Sequence, residues 1–155
     1  MQDEQNLQIA RYDDADRKVM VSAEHARDQK KDRVEETIAF CREHGINNIG
    51  VANCISLQRE SDILVQQLRE EGFEVHDINC KTARMPSSEF VFGAKGIACN
   101  PIGQADFLAG HGTQLNLSIG LCIGHDILFN MHTKAPVTTL LVKDRKLKHR
   151  TIDRF

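Results

Sequence analysis

Four short apolar or alternating runs, each lying between stretches of helical spacing, constrain this chain more than any other feature. They are NNIGVANC (47–54), FEVHDINC (73–80), TQLNLSIGLC (113–122) and APVTTLLVKD (135–144). Runs of this length and pattern predict strands. Between them, residues 56–72 carry Leu57, Leu64 and Leu68 on one helical face, and Gly72 closes that helix. Residues 101–112 predict a helix with Pro101 in its first turn, where a missing N–H costs little, and residues 123–133 predict another. Strands that alternate with helices need a parallel sheet covered on both faces.

Ahead of this pattern, residues 31–45 form a strong amphipathic helix. Val34, Ile38 and Cys41 make its apolar stripe, and Gly45 is placed as its C-cap. Residues 13–29 predict a weaker helix, and residues 1–10 show no order. Residues 81–95 lack any period and predict a loop with room for a short helix, followed by a very short strand at 96–100. The expectation is one α/β domain over 1–155, with 1–10 flexible. It is a three-layer fold with a mostly parallel sheet of about four to five strands, preceded by N-terminal helices. Ligands in such folds bind beyond the carboxyl ends of the strands.

Composition excludes some functions. The formal net charge of −2 supplies no basic field for nucleic acid or an anionic membrane. With seven Phe, one Tyr and no Trp, the chain offers little for base stacking. No apolar run approaches the roughly 20 residues of a membrane span, and the polar start MQDEQNLQIARYDD does not resemble a signal peptide. These features predict a cytoplasmic protein without nucleic-acid or membrane partners, in a compartment that disfavours structural disulfides. Its five cysteines are then core residues, metal ligands or redox thiols.

Four of them share one context. Cys54, Cys80, Cys99 and Cys122 each follow an apolar or alternating run and precede a loop or helix start. In a parallel sheet such positions fall on one edge, so thiols distant in sequence converge. Cys99 precedes the helix that Pro101 starts, and Cys122 precedes IGHDILF. At a helix N-terminus the dipole and free N–H groups favour the thiolate. Cys41 lies on the helical stripe and is expected in the core. No CxxC occurs, which argues against a compact zinc ribbon and against thioredoxin-type exchange. Ligands from four strand ends suit a site on a preformed rim. Soft thiolates there select an iron–sulfur cluster, zinc or copper(I).

His125, three positions after Cys122, is a candidate ligand or proton donor, and Asp126 beside it a candidate catalytic carboxylate or merely a complement to the helix dipole. Asn100 and Gln104 are four apart, so they share a helical face near Cys99 as candidates for binding polar atoms of a cofactor or substrate. The plainer expectation is an N-cap at Asn100 and a surface Gln104. Lys81 follows Cys80 and is placed to offset thiolate charge or simply to face solvent. The basic run KDRKLKHR (143–150) is expected to be a solvated face, and the remaining histidines surface residues.

CNPIGQA (99–105), GLCIGHD (120–126) and APVTTLLVKDR (135–145) together resemble a prokaryotic family known only as domain of unknown function 1847, described as cysteine-rich and metal-binding. RVEETIAFCREHGINNIGVANCISL (33–57) and INCK (78–81) fit the same pattern, so the resemblance covers roughly residues 11–145. It implies metal binding by Cys54, Cys80, Cys99 and Cys122, with His125 and Asp126 inside the motif. Cys41 has no counterpart. The chain departs from the family pattern at Ser56, where glycine is usual, at Asn79, where a second cysteine is frequent, and in its tail.

The resulting expectation is a thiolate metal site, most readily a [4Fe–4S] cluster, that binds a small molecule if it is catalytic. The alternatives are a structural zinc module without catalysis, and a metal-free enzyme with Cys122 or Cys99 as nucleophile and His125 as base.

Overall fold

The computed structural model describes residues 1–155. The chain forms two compact units, 1–46 and 47–155. No helix is long and apolar enough to cross a membrane.

The first unit is helical: α1 (Gln2–Ile9), α2 (Asp14–Ala26) and α3 (Arg33–His44). Its helix starts are encoded locally. Asp13 with Asp16, and Asp32 with Glu35, form reciprocal capping boxes that satisfy N–H groups the helices leave free. Gly45 ends α3 in the left-handed conformation at φ 81°, as a C-cap glycine should. α2 packs on α3, and the Ser22 hydroxyl lies 3.1 Å from His44 Nδ1. Cys41 is fully buried on α3, in agreement with its place on the stripe. The first ten residues, which showed no order in the sequence, contain α1, a helix with no buried residue. Its end is held by Arg17, whose guanidinium donates to the Ile9 and Tyr12 carbonyls.

The second unit is α/β. It runs β1 (Asn48–Asn53), α4 (Gln58–Glu70), β2 (Glu74–Asn79), α5 (Pro101–Gly110), β3 (Leu115–Ile119), α6 (Ile123–His132) and β4 (Val137–Leu141). The four strands form one parallel sheet in the order β2-β1-β3-β4. Parallel neighbours need crossover helices. The chain moves one way from β1 to β2 and the other way from β2 to β3. With right-handed crossovers this sets α4 and α5 on opposite faces. Ala52 joins Ala105 and Leu108 of α5, Phe129 of α6 and Leu121 in one buried cluster. Strand side chains alternate, so Ile49 and Val51 point to the other face, where α4 packs on β1 and β2 and buries Leu64, Val65 and Leu68.

Residues 81–100, of which 81–95 lack a period, fold as a lobe with two single 3-10 turns, Thr82–Arg84 and Ser87–Glu89. The short strand expected at 96–100 is reduced to one antiparallel bridge between Ile97 and Pro86. Backbone bonds from Ser87 to Gly96 and from Ala98 to Met85 fasten its two arms together, so the lobe is ordered without a sheet of its own.

One glycine positions the site directly. Gly120 follows β3 with φ 57°, and a Cβ there would overlap Leu57 Cδ1. It turns the chain from the sheet toward Cys122. Gly120→Ala should therefore destabilise the protein by at least about 2 kcal/mol, from backbone strain and overpacking together. Gly72→Ala, at φ 90° but in open space, should cost only about 1 kcal/mol. Urea denaturation of the two variants compares them, and equal losses would contradict the role given to Gly120.

Candidate metal centre

Strand register assembles the thiols. Asn53 is level with Asn79 on β2 and with Ile119 on β3. The ladder runs one residue further: Cys54 N–H donates to the Ile119 carbonyl and Cys80 N–H to the Asn53 carbonyl, each at 3.0 Å. Cys54 and Cys80 are therefore level on adjacent strands, whose spacing is about 4.8 Å. Cys99 arrives from the lobe. The Asn100 N–H next to it donates to the Cys80 carbonyl at 2.8 Å, and the Cys99 side chain acts electrostatically on the Cys80 thiol. Cys122 follows the Gly120 turn and is the N-cap residue of α6. All four thiols are free. They lie at the carboxyl edge, around the crevice between β1 and β3 where the strand order reverses, the usual ligand position in open parallel sheets.

Basic side chains contact two of the thiols. Lys143 Nζ lies 3.5 Å from Cys54 Sγ and also donates to the Ser56 hydroxyl, which is 3.3 Å from the same sulfur. Arg145 donates to Cys122 Sγ at 3.1 Å. Lys81 Nζ donates to the Ile97 carbonyl at 2.6 Å and acts electrostatically on His125. The expectation that 143–150 is merely a solvated face is corrected here for Lys143 and Arg145. They follow β4, which pairs with β3, so they reach the same edge as the cysteines. Lys81, half-buried and bonded to the Ile97 carbonyl, likewise does not simply face solvent. Ser56 carried no signal in the sequence beyond its departure from the family's glycine.

These surroundings separate the thiols chemically. Burial raises the pKa of Cys54, but hydrogen bonds from Ser56 and the Lys143 ammonium outweigh it, and the net shift is downward. Cys80 is pushed up to about 12, mainly by burial, partly relieved by the Ile55 N–H 3.4 Å from its sulfur, and raised further by Cys99 and Cys54. His125 is lowered by burial and by the positive charges of Lys81 and Arg145. Cys41, away from this edge, is raised to about 11 by burial alone.

The other candidates divide. Asn100 is the N-cap of α5, its side-chain oxygen accepting from Gly103 N–H at 2.8 Å. Gln104 is fully buried rather than on the surface. Its amide donates to the carbonyls of Asn53 and Ile78, so it ties together the ends of the two strands that carry Cys54 and Cys80. Asp126 sits in the first turn of α6, with one carboxylate oxygen 3.4 Å from Asn130 Nδ2. Of the other histidines, His44 stacks on Phe40, and His76 and His111 contact each other. No three Cys, His, Asp or Glu side chains meet at the spacing of one ion's ligands.

Fold and site together define an α/β protein with a cysteine-lined, cation-rimmed carboxyl edge. The chain belongs to the family described as protein of unknown function DUF1847, whose model matches residues 1–140. It is also 44% identical over 153 residues to an uncharacterized protein of Methanocaldococcus jannaschii, an alignment covering 96% of this chain and 75% of that relative. No solved structure matches the chain.

The pKa pattern predicts an order of alkylation in the metal-free protein. Because the Cys54 pKa is lowered, its iodoacetamide labelling should rise before that of Cys80 and Cys41 on a pH titration. Cys80 and Cys41 stay protonated until close to 12 and 11. Lys143→Met should move the Cys54 midpoint upward. Peptide mass mapping reads each site, and labelling of Cys41 ahead of Cys54 would contradict the assignment.

Proposed function

We propose that this chain is a metal-centre protein in which the thiolates of Cys54, Cys80, Cys99 and Cys122 hold an iron–sulfur cluster at the carboxyl edge of the sheet. The observation that carries this reading is the level placement of Cys54 and Cys80 at adjacent strand ends, with Cys99 tied beside Cys80 through the Asn100 N–H and Cys122 on the turn after β3 at the same edge. The donor set fits. Thiolate is the common ligand of such clusters, and four thiolates would repel one another without a cation between them. A cluster spreads its ligands over several ångströms, which suits sulfurs carried by four separate segments. With its usual core charge, a four-thiolate [4Fe–4S] centre is a net anion. Lys143 and Arg145, in contact with two of the sulfurs, would stabilise that charge.

Such a group would supply electron transfer, or a Lewis-acidic iron if one thiolate does not bind. The chain's own contribution is positioning. Gln104 fixes two strand ends, Asn100 fixes the start of α5 beside Cys99, and Ser56 orients Lys143 toward Cys54. His125 is near enough to Lys81 and Arg145 to feel their charge and is the group placed to hold or release a proton at this edge. Asp126 is a weaker candidate for such a role, since it complements the α6 dipole from the first turn.

Protein purified without oxygen should be brown, with iron and acid-labile sulfide in equal amounts. Cys122→Ser should lower bound iron at least about fivefold, since loss of a supporting or ligating group typically costs 10–100-fold in metal affinity. Cys41→Ser should leave it unchanged. A colourless protein carrying one zinc would replace the cluster by the structural-zinc alternative. Folded protein free of metal, or equal losses in both variants, would overturn the reading.

A further inference from the structure

A cavity of about 790 Å³ opens beside Cys99, between the 81–100 lobe and the starts of α5 and α6. Phe90, Val91, Ile97 and Leu128 give it apolar walls, while Lys81 and Lys95 contribute charge and Cys99, Asn100 and His125 line it too. Its size lies within the range of small-molecule sites, and a mostly apolar wall with a few polar groups is the usual composition of one. The cavity does not depend on a loose flap. The lobe is closed by the bonds from Ser87 to Gly96 and Ala98 to Met85, by the Pro86–Ile97 bridge, and by the Asn100 N–H on the Cys80 carbonyl. Lys81 itself is anchored to the lobe through the Ile97 carbonyl.

Charge selects the occupant. No aspartate or glutamate lines the cavity, and two lysines, Lys81 and Lys95, do. A neutral apolar molecule would leave them without a counter-charge, and a cation would be repelled. A fully polar anion would waste the apolar walls, whose burial supplies most of the affinity in sites of this kind.

We propose that this cavity binds a small amphipathic organic anion, with its apolar body against the lobe and its anionic head toward Lys81 and Lys95, beside the thiol of Cys99. The inference goes beyond the metal centre and does not require it. If both hold, the cavity is where a substrate of that class meets the cluster edge.

The test uses the full chain as purified without oxygen and, in parallel, after removal of metal by chelation. The probe is 1-anilinonaphthalene-8-sulfonate, and its uncharged counterpart N-phenyl-1-naphthylamine is the control. The sulfonate should bind saturably at one site with enhanced fluorescence, and the neutral compound at least about tenfold more weakly. The double variant Lys81→Met, Lys95→Met should weaken the sulfonate by about fivefold or more while leaving the urea midpoint near that of the parent chain. Ala94→Trp, which fills the lining from one side, should abolish the saturable phase. Equal affinity for the neutral probe, or binding that survives Ala94→Trp, would place the probe elsewhere and overturn the proposal. So would the absence of saturable binding in the folded parent chain. Iron, zinc and sulfide measured on the same samples keep the two claims apart. Probe binding without metal supports the cavity against the centre, and metal without probe binding does the reverse.

Discussion

Parallel pairing of β1 with both β2 and β3 is the constraint on which the second unit depends. It makes every strand point the same way, so every strand end falls on one edge. Register then sets Cys54 and Cys80 side by side, with Gly120 level on the other flank. Each remaining part of the edge is tied to that line. The Asn100 N–H brings Cys99 to the Cys80 carbonyl, and the Gly120 N–H bonds the Leu141 carbonyl at 2.7 Å. This last bond lies where the β3–β4 register shifts after Ser118. It leads the chain beyond β4 back over the thiols, so that Lys143 and Arg145 reach two of them. A slip of one residue in β1 would turn its buried side chains to the wrong face and would also scatter the sulfurs.

Electrostatics follow from that crowding. Thiols gathered at a half-buried edge resist joint ionisation, because burial disfavours each charge and each charge disfavours the next. Cys80, between Cys54 and Cys99, bears the largest part of this. Cys54, at the end that Lys143 and Ser56 support, escapes it. The edge therefore favours several negative charges only when positive charge enters among them. Lys81, Lys143 and Arg145 provide part of it from the rim, and a metal centre would provide the rest.

The sequence made much of this legible, and the misses have physical causes. All four strands and five of the six helices were legible, α3 and α4 from their apolar stripes, α5 from Pro101 at its start, and α2 only weakly. α1 buries nothing, so it left no pattern. Cys41, on a helical stripe, is buried on α3; Cys54, Cys80 and Cys122 follow strands as their context implies, whereas Cys99 follows the irregular lobe, not the short strand its context suggested. Lys143 and Arg145 were not legible as site residues. A charge run says nothing about which sheet edge it follows, and only the adjacency of β4 to β3 brings it to the thiols. Gln104 reads in the sequence as a binder of polar atoms or as a surface residue, since glutamine is usually exposed; it is fully buried. Its burial depends on two strand-end carbonyls that no local pattern announces. The cavity was hidden for the same reason, since the lobe that walls it has no period to reveal it.

The central claim is that four cysteines from separate segments share one metal centre. The most direct test is a crystal structure of anaerobically prepared protein with anomalous difference maps collected on both sides of the iron and zinc absorption edges. The account predicts iron-specific density at the crevice between β1 and β3, with sulfurs of Cys54, Cys80, Cys99 and Cys122 each at about 2.3 Å from a metal atom. Metal density elsewhere in the molecule, or a crevice without anomalous signal in crystals of the folded protein, would contradict it.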